Sequence, residues 1–119
     1  MKYMLMMFGS QAQMMEVASP EWITEMMGFM HTLNDDLQKA GELVAAEGLA
    51  DGTQAKIVRL EDGQVITTDG PYAEAKESLI GYWIVDVESE ERATEIATRI
   101  VKYSRVVEVR QVMDAPTEM

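Results

Sequence analysis

The stretch Leu79-Ile80-Gly81-Tyr82-Trp83-Ile84-Val85-Asp86-Val87 decides how this chain folds. Its β-branched and aromatic residues favour an extended strand over a helix. At a period of two, Ile80, Tyr82 and Ile84 point one way, and Trp83, Val85 and Val87 the other. Both faces are therefore apolar. A strand with one wet face alternates apolar with polar residues, so this one needs cover on both sides. The first strand, residues 2–8, repeats the pattern, with Tyr3, Leu5 and Met7 opposed to Met4, Met6 and Phe8.

Two helices are available to supply that cover. Ser19 offers an N-cap oxygen, Pro20 suits the first helical position, and Glu21 and Glu25 sit near the positive helix end. From there Ile23, Met26, Met27, Met30, Leu33, Leu37 and Ala40 form an apolar stripe, and Gly41 stops the helix. Ser89 caps a second helix with Glu90 and Glu91 in its first turn and a stripe of Ala93, Ile96, Ala97 and Ile100. Residues 9–18 read as a loop and 43–49 as a short extended segment. Residues 55–60 and 64–68 form a hairpin about Glu61-Asp62-Gly63, since an Asp-Gly pair between β-type runs is a turn signal. Asp69-Gly70-Pro71 breaks the chain before one helical turn through residues 72–77, and 106–113 is the last strand.

The order β-α-β-hairpin-β-α-β predicts an α+β, ferredoxin-like antiparallel sheet with two helices on one face and an inserted hairpin. Residues 1–113 form a single domain, and 114–119 a polar tail. Two helices cover only one face of such a sheet. The second apolar face is then expected to meet the same face of a second copy about a two-fold axis, making a homodimer and closing a dimeric α+β barrel.

Composition narrows the function. Lys plus Arg number 10 against 21 Asp plus Glu, a formal net charge of −11. Such a surface repels nucleic-acid phosphates and anionic lipid head groups, so neither is an expected partner. The absence of cysteine removes disulfides, thiolate metal sites and cysteine nucleophiles. Residues 1–8 are too short for a membrane span and lack the marks of a signal peptide, which leaves the cytoplasm as the default location. No Gly-rich phosphate loop, serine elbow or metal-ligand spacing occurs, and no cofactor is expected. Six methionines fall within the first fifteen residues; they read as gap-filling apolar side chains rather than as a copper(I) site.

The densest polar cluster is Asp69-Gly70-Pro71-Tyr72-Ala73-Glu74-Ala75-Lys76-Glu77. With Gly81-Tyr82-Trp83, Glu108-Val109-Arg110, the helix end Leu37-Gln38-Lys39-Ala40-Gly41 and the segment Glu47-Gly48-Leu49, it resembles the YCII-related family, specifically its DGPF branch. The resemblance runs from the first strand to Val112. It implies a dimeric α+β barrel related to small dimeric-barrel enzymes, and an association with extracytoplasmic-function sigma factors; it implies no single reaction. Tyr72 stands where the branch carries Phe, Ala75 where Thr is usual, and Val101-Lys102-Tyr103-Ser104-Arg105 where relatives carry Cys-Pro and a glycine.

Asp69 is the candidate catalytic residue, as a general base at a strand end, with Tyr72, Glu74 and Lys76 lining a ligand cavity at the barrel mouth. The same residues also make an ordinary turn in which Asp69 is a cap and Lys76 pairs with a carboxylate. Glu108 and Arg110 share one face of the last strand and either pair with each other or anchor a ligand carboxylate through Arg110. His31, the only histidine, falls towards the polar side of its helix. Three functions remain open: a cofactor-free enzyme working by proton transfer, a non-catalytic small-molecule-binding or regulatory protein partnering a sigma factor, and a plain structural dimer. The presence and lining of a cavity separate them.

Overall fold

The computed structural model of the chain describes residues 1–10, 14, 16–70 and 78–114. Strand β1 (Lys2–Gly9) leads to helix α1 (Pro20–Lys39), then β2 (Leu43–Gly48), a 3-10 turn (Gly52–Gln54), and the hairpin β3 (Lys56–Glu61) and β4 (Gln64–Asp69). Strand β5 (Ser78–Asp86), helix α2 (Glu90–Ser104) and β6 (Val107–Gln111) follow. The main sheet has the order β2-β5-β1-β6, all antiparallel. With the hairpin left out, that is the ferredoxin-like arrangement with two helices.

Local chemistry sets the element ends. Ser19 accepts a hydrogen bond from the Trp22 amide at the start of α1, and Ser89 does the same for Arg92 at the start of α2. Gly41 N–H donates to the Gln38 carbonyl as α1 ends. In the hairpin, Glu61 pairs with Gln64, and Asp62 and Gly63 have φ of 50° and 77°. Two successive positive φ values are what a tight hairpin turn needs, and Asp-Gly tolerates them.

The helix-facing side of the sheet carries Tyr3, Leu5, Met7, Trp83, Val85 and Val87, all buried with Leu33, Leu37, Ala93, Ile96 and Ile100. Ile80 departs from simple alternation. Met7 pairs with Gly81 but Phe8 with Leu79, so a bulge at Ile80 turns that side chain from the Tyr82 and Ile84 side into the core, where it is 6% exposed. The apolar stripe of α1 is also narrower than its periodicity predicts. Leu33 and Leu37 are buried and Met30 is half-buried, while Met27 is 63% exposed. Only the C-terminal half of α1 seats on the sheet. Within the expected loop 9–18, Met14, Glu16 and Val17 are helical, and the Met14 amide donates to the Ser10 carbonyl.

Two apolar surfaces stay open within one chain. On the far side of the main sheet, Ile84–Met4–Arg110 and Tyr82–Met6–Glu108 form adjacent cross-strand rows beside Phe8, and Met4, Met6, Phe8, Tyr82 and Ile84 are only half-buried. The hairpin pairs only with itself and exposes Val58, Leu60 and Val65 on one face. It stands away from the body: the Cα radius of gyration is 16.7 Å, against about 13.5 Å for a compact chain of this length. A two-stranded hairpin is marginal alone.

Candidate functional site

The sheet and the lifted half of α1 border a partly open cavity of about 320 Å³. Its walls come from five elements and the segment before α1. Met7 and Trp83 rise from β1 and β5, Ile80 is delivered by the bulge, and Met26, Met30 and Asn34 descend from α1. Met14 closes one side, Tyr103 and Ser104 at the end of α2 another, and Ala46, Glu47 and Gly48 of β2 with Tyr82 complete it. Methionine suits such a wall, because its unbranched thioether adapts to the shape of an apolar guest.

Its polar groups are few and held in place. The Trp83 indole N–H donates to Asn34 Oδ1 at 2.7 Å. The Tyr103 ring packs against Phe29 and Trp22, with centroids 4.7 and 5.9 Å away, and its hydroxyl donates to Glu25 Oε1 at 3.4 Å. Desolvation, then the Glu25 carboxylate, push the Tyr103 phenol above its ordinary value, so it remains a protonated donor at neutral pH. Tyr103 and Ser104 belong to the five-residue segment in which this sequence differs from the pattern it resembles.

The sequence-derived candidates lie elsewhere. Asp69 ends β4 at the base of the hairpin, opposite Lys56, and its carboxylate pairs with the Lys56 ammonium. Its side chain is 82% exposed, and it does not line the cavity. Gly70 follows it into a tight crossing, where its amide donates to the Ala55 carbonyl at 2.7 Å and a Cβ would come within 2.8 Å of the Ala55 Cβ. Tyr72, Glu74 and Lys76 fall outside the described residues. Arg110 pairs with Glu108 on its own strand, on the sheet face away from α1 and α2. His31 is exposed. Asp69→Asn removes one exposed ion pair, and thermal unfolding is expected to show a loss below about 1 kcal/mol; a larger loss would mean that Asp69 carries contacts beyond Lys56.

Sequence reasoning did not single out Asn34, Tyr103 or the methionines as residues that line a cavity. One signal was available. A buried tryptophan needs an acceptor for its N–H, and Asn34 is the amide flanking the apolar stripe at Leu33. Among the described residues no three His, Cys, Asp or Glu side chains group as metal ligands. No helix among them is long and apolar enough to cross a membrane.

A ferredoxin-like α+β domain with a ligand-sized apolar cavity beneath its first helix is thus the class that fold and site define. The family model of the YCII-related domain matches residues 1–116, and the chain belongs to that family. It is also similar to an uncharacterized protein of Rhizobium meliloti (strain 1021), 37% identical over 59 residues, covering 50% of this chain and 48% of that protein. The matched region thus spans about half the length of this curated relative.

Proposed function

We propose that this YCII-related protein binds a small apolar molecule in the cavity between α1 and the sheet, and does so as a homodimer closed sheet face to sheet face. The carrying observation is the cavity itself: about 320 Å³, walled by methionine and aromatic side chains, with a few convergent polar groups. Ligand pockets of small-molecule proteins start at about 300 Å³ and have this mixture of lining. The sequence around Asp69-Gly70-Pro71 supports the DGPF branch. Binding is preferred over proton abstraction, since the described surroundings of Asp69 are water and Lys56 rather than the cavity.

The neutral fluorescent probe 1-N-phenylnaphthylamine tests the reading. It is expected to gain emission on binding the wild type and to lose its site in Ala46→Phe, whose ring would occupy the cavity. A wild type that does not bind the probe overturns the proposal.

The dimer rests on the half-buried Met4, Met6, Phe8, Tyr82 and Ile84. Sedimentation equilibrium at micromolar concentration is expected to give twice the 13.4 kDa chain mass, and Ile84→Lys to return it to one. A monomeric wild type overturns the dimer and leaves both open apolar surfaces to a different protein, as the sigma-factor reading requires.

A further inference from the structure

Trp83 Nε1–H is a donor and nothing else, so the atom facing it at 2.7 Å must be the Asn34 carbonyl oxygen. That bond fixes the amide the only way round it can sit. The Asn34 NH₂ group, which can donate twice, has no partner among the described residues, and Asn34 lines the cavity. The tryptophan therefore works as a latch. It holds a helix-borne amide with its acceptor spent and its donors unspent at the cavity wall.

The rest of the wall bears on the same question. Met7, Met26, Met30 and Trp83 offer apolar, polarizable surface and no charge. Among the described lining residues there is no lysine, arginine or histidine to balance the charge of an anion. Tyr103 spends its proton on Glu25. A guest that satisfies Asn34 must accept a hydrogen bond, and a guest that suits the remaining wall must be uncharged and apolar or aromatic.

We infer that the cavity selects an uncharged apolar or aromatic molecule bearing a carbonyl-type acceptor, and that Asn34, oriented by Trp83, is the residue that recognises that acceptor. This rests on the cavity being a ligand site, and the test separates the two claims. Displacement of 1-N-phenylnaphthylamine from the wild type compares 2-acetylnaphthalene with 2-ethylnaphthalene, which differ little in shape but only the first of which has an acceptor. A hydrogen bond between neutral groups is expected to favour the ketone about two- to tenfold. The anion 2-naphthoate is expected to displace the probe more weakly than the ketone.

Asn34→Asp keeps an oxygen for Trp83 and turns the cavity-facing donor into an acceptor; Asn34→Leu removes both. In either variant the two naphthalenes are expected to bind equally, with the ethyl compound little changed. Equal binding in the wild type, or a preference that survives either substitution, overturns the role of Asn34 while leaving the cavity reading intact. Tightest binding by 2-naphthoate overturns the uncharged class. Failure of the wild type to bind the probe at all overturns the cavity reading itself, and this inference with it.

Discussion

Trp83→Ala is expected to destabilise the fold by about 3–5 kcal/mol, the cost of removing a large aromatic side chain from a packed core. Trp83 is 3% exposed at the centre of β5, and its ring shares the core with Leu33, Leu37, Leu5 and Val85. Two effects add. The transfer energy of the ring is lost, and the space it leaves merges with the adjoining cavity, so the neighbours have no close surface to collapse onto. The Asn34 oxygen also loses its donor. Urea unfolding of the wild type and the variant measures the difference. A change below about 1 kcal/mol, the size ordinary at exposed positions, would place Trp83 outside the core. Trp83→Phe retains much of the ring and is expected to cost less, while still unlatching Asn34.

Arg92→Ala is expected to cost about 1–2 kcal/mol, and the loss carries a pH signature. The Arg92 guanidinium grips Glu42 through two nitrogens, Nε to Oε2 at 2.9 Å and Nη2 to Oε1 at 2.8 Å. The pair joins the first turn of α2 to the residue preceding β2, whose carbonyl accepts from the Asp86 amide. The Glu42 side chain is 15% exposed and that of Arg92 32%, so the pair is worth more than a surface bridge but is partly screened. The hydrogen bond from Arg92 outweighs burial and holds the Glu42 carboxyl below its ordinary value of 4.5. A carboxyl bound more acidic in the fold than in the unfolded chain adds stability that is fully present above 4.5 and is lost as pH falls through the lower folded value. Wild-type stability should therefore fall on acidification through that window. Glu42→Gln is expected to be less stable at neutral pH and to show a shallower fall. An unchanged acid slope in Glu42→Gln would mean that other carboxylates carry it.

Much of the architecture is legible along the chain because it depends on local rules. Ser19 and Ser89 were readable as caps, because a short hydroxyl ahead of an apolar-periodic run satisfies helix N–H groups wherever it occurs. The Asp62-Gly63 turn and the two-sided strands followed from backbone sterics and side-chain alternation in the same way. The cavity was a different matter. The polar cluster that begins at Asp69 drew attention because polar residues stand out in a sequence, yet Asp69 itself is an exposed hairpin residue paired with Lys56. The cavity is built from residues that look like core, and Met26, Met30 and Ile80 carry no mark that sets them apart from Leu33 or Leu37.

What the sequence alone determined is therefore the order and type of elements and the two-faced strands, since periodicity and capping are properties of neighbours in the chain. The tertiary structure alone decided where space remains. The bulge that turns Ile80 inward, the half of α1 that fails to reach the sheet, and the indole that orients Asn34 arise from contacts between residues far apart in the chain, 49 positions for Asn34 and Trp83 and more between β1 and β5. A void is the difference between how closely elements could pack and how closely they do, and that difference exists only once they have met.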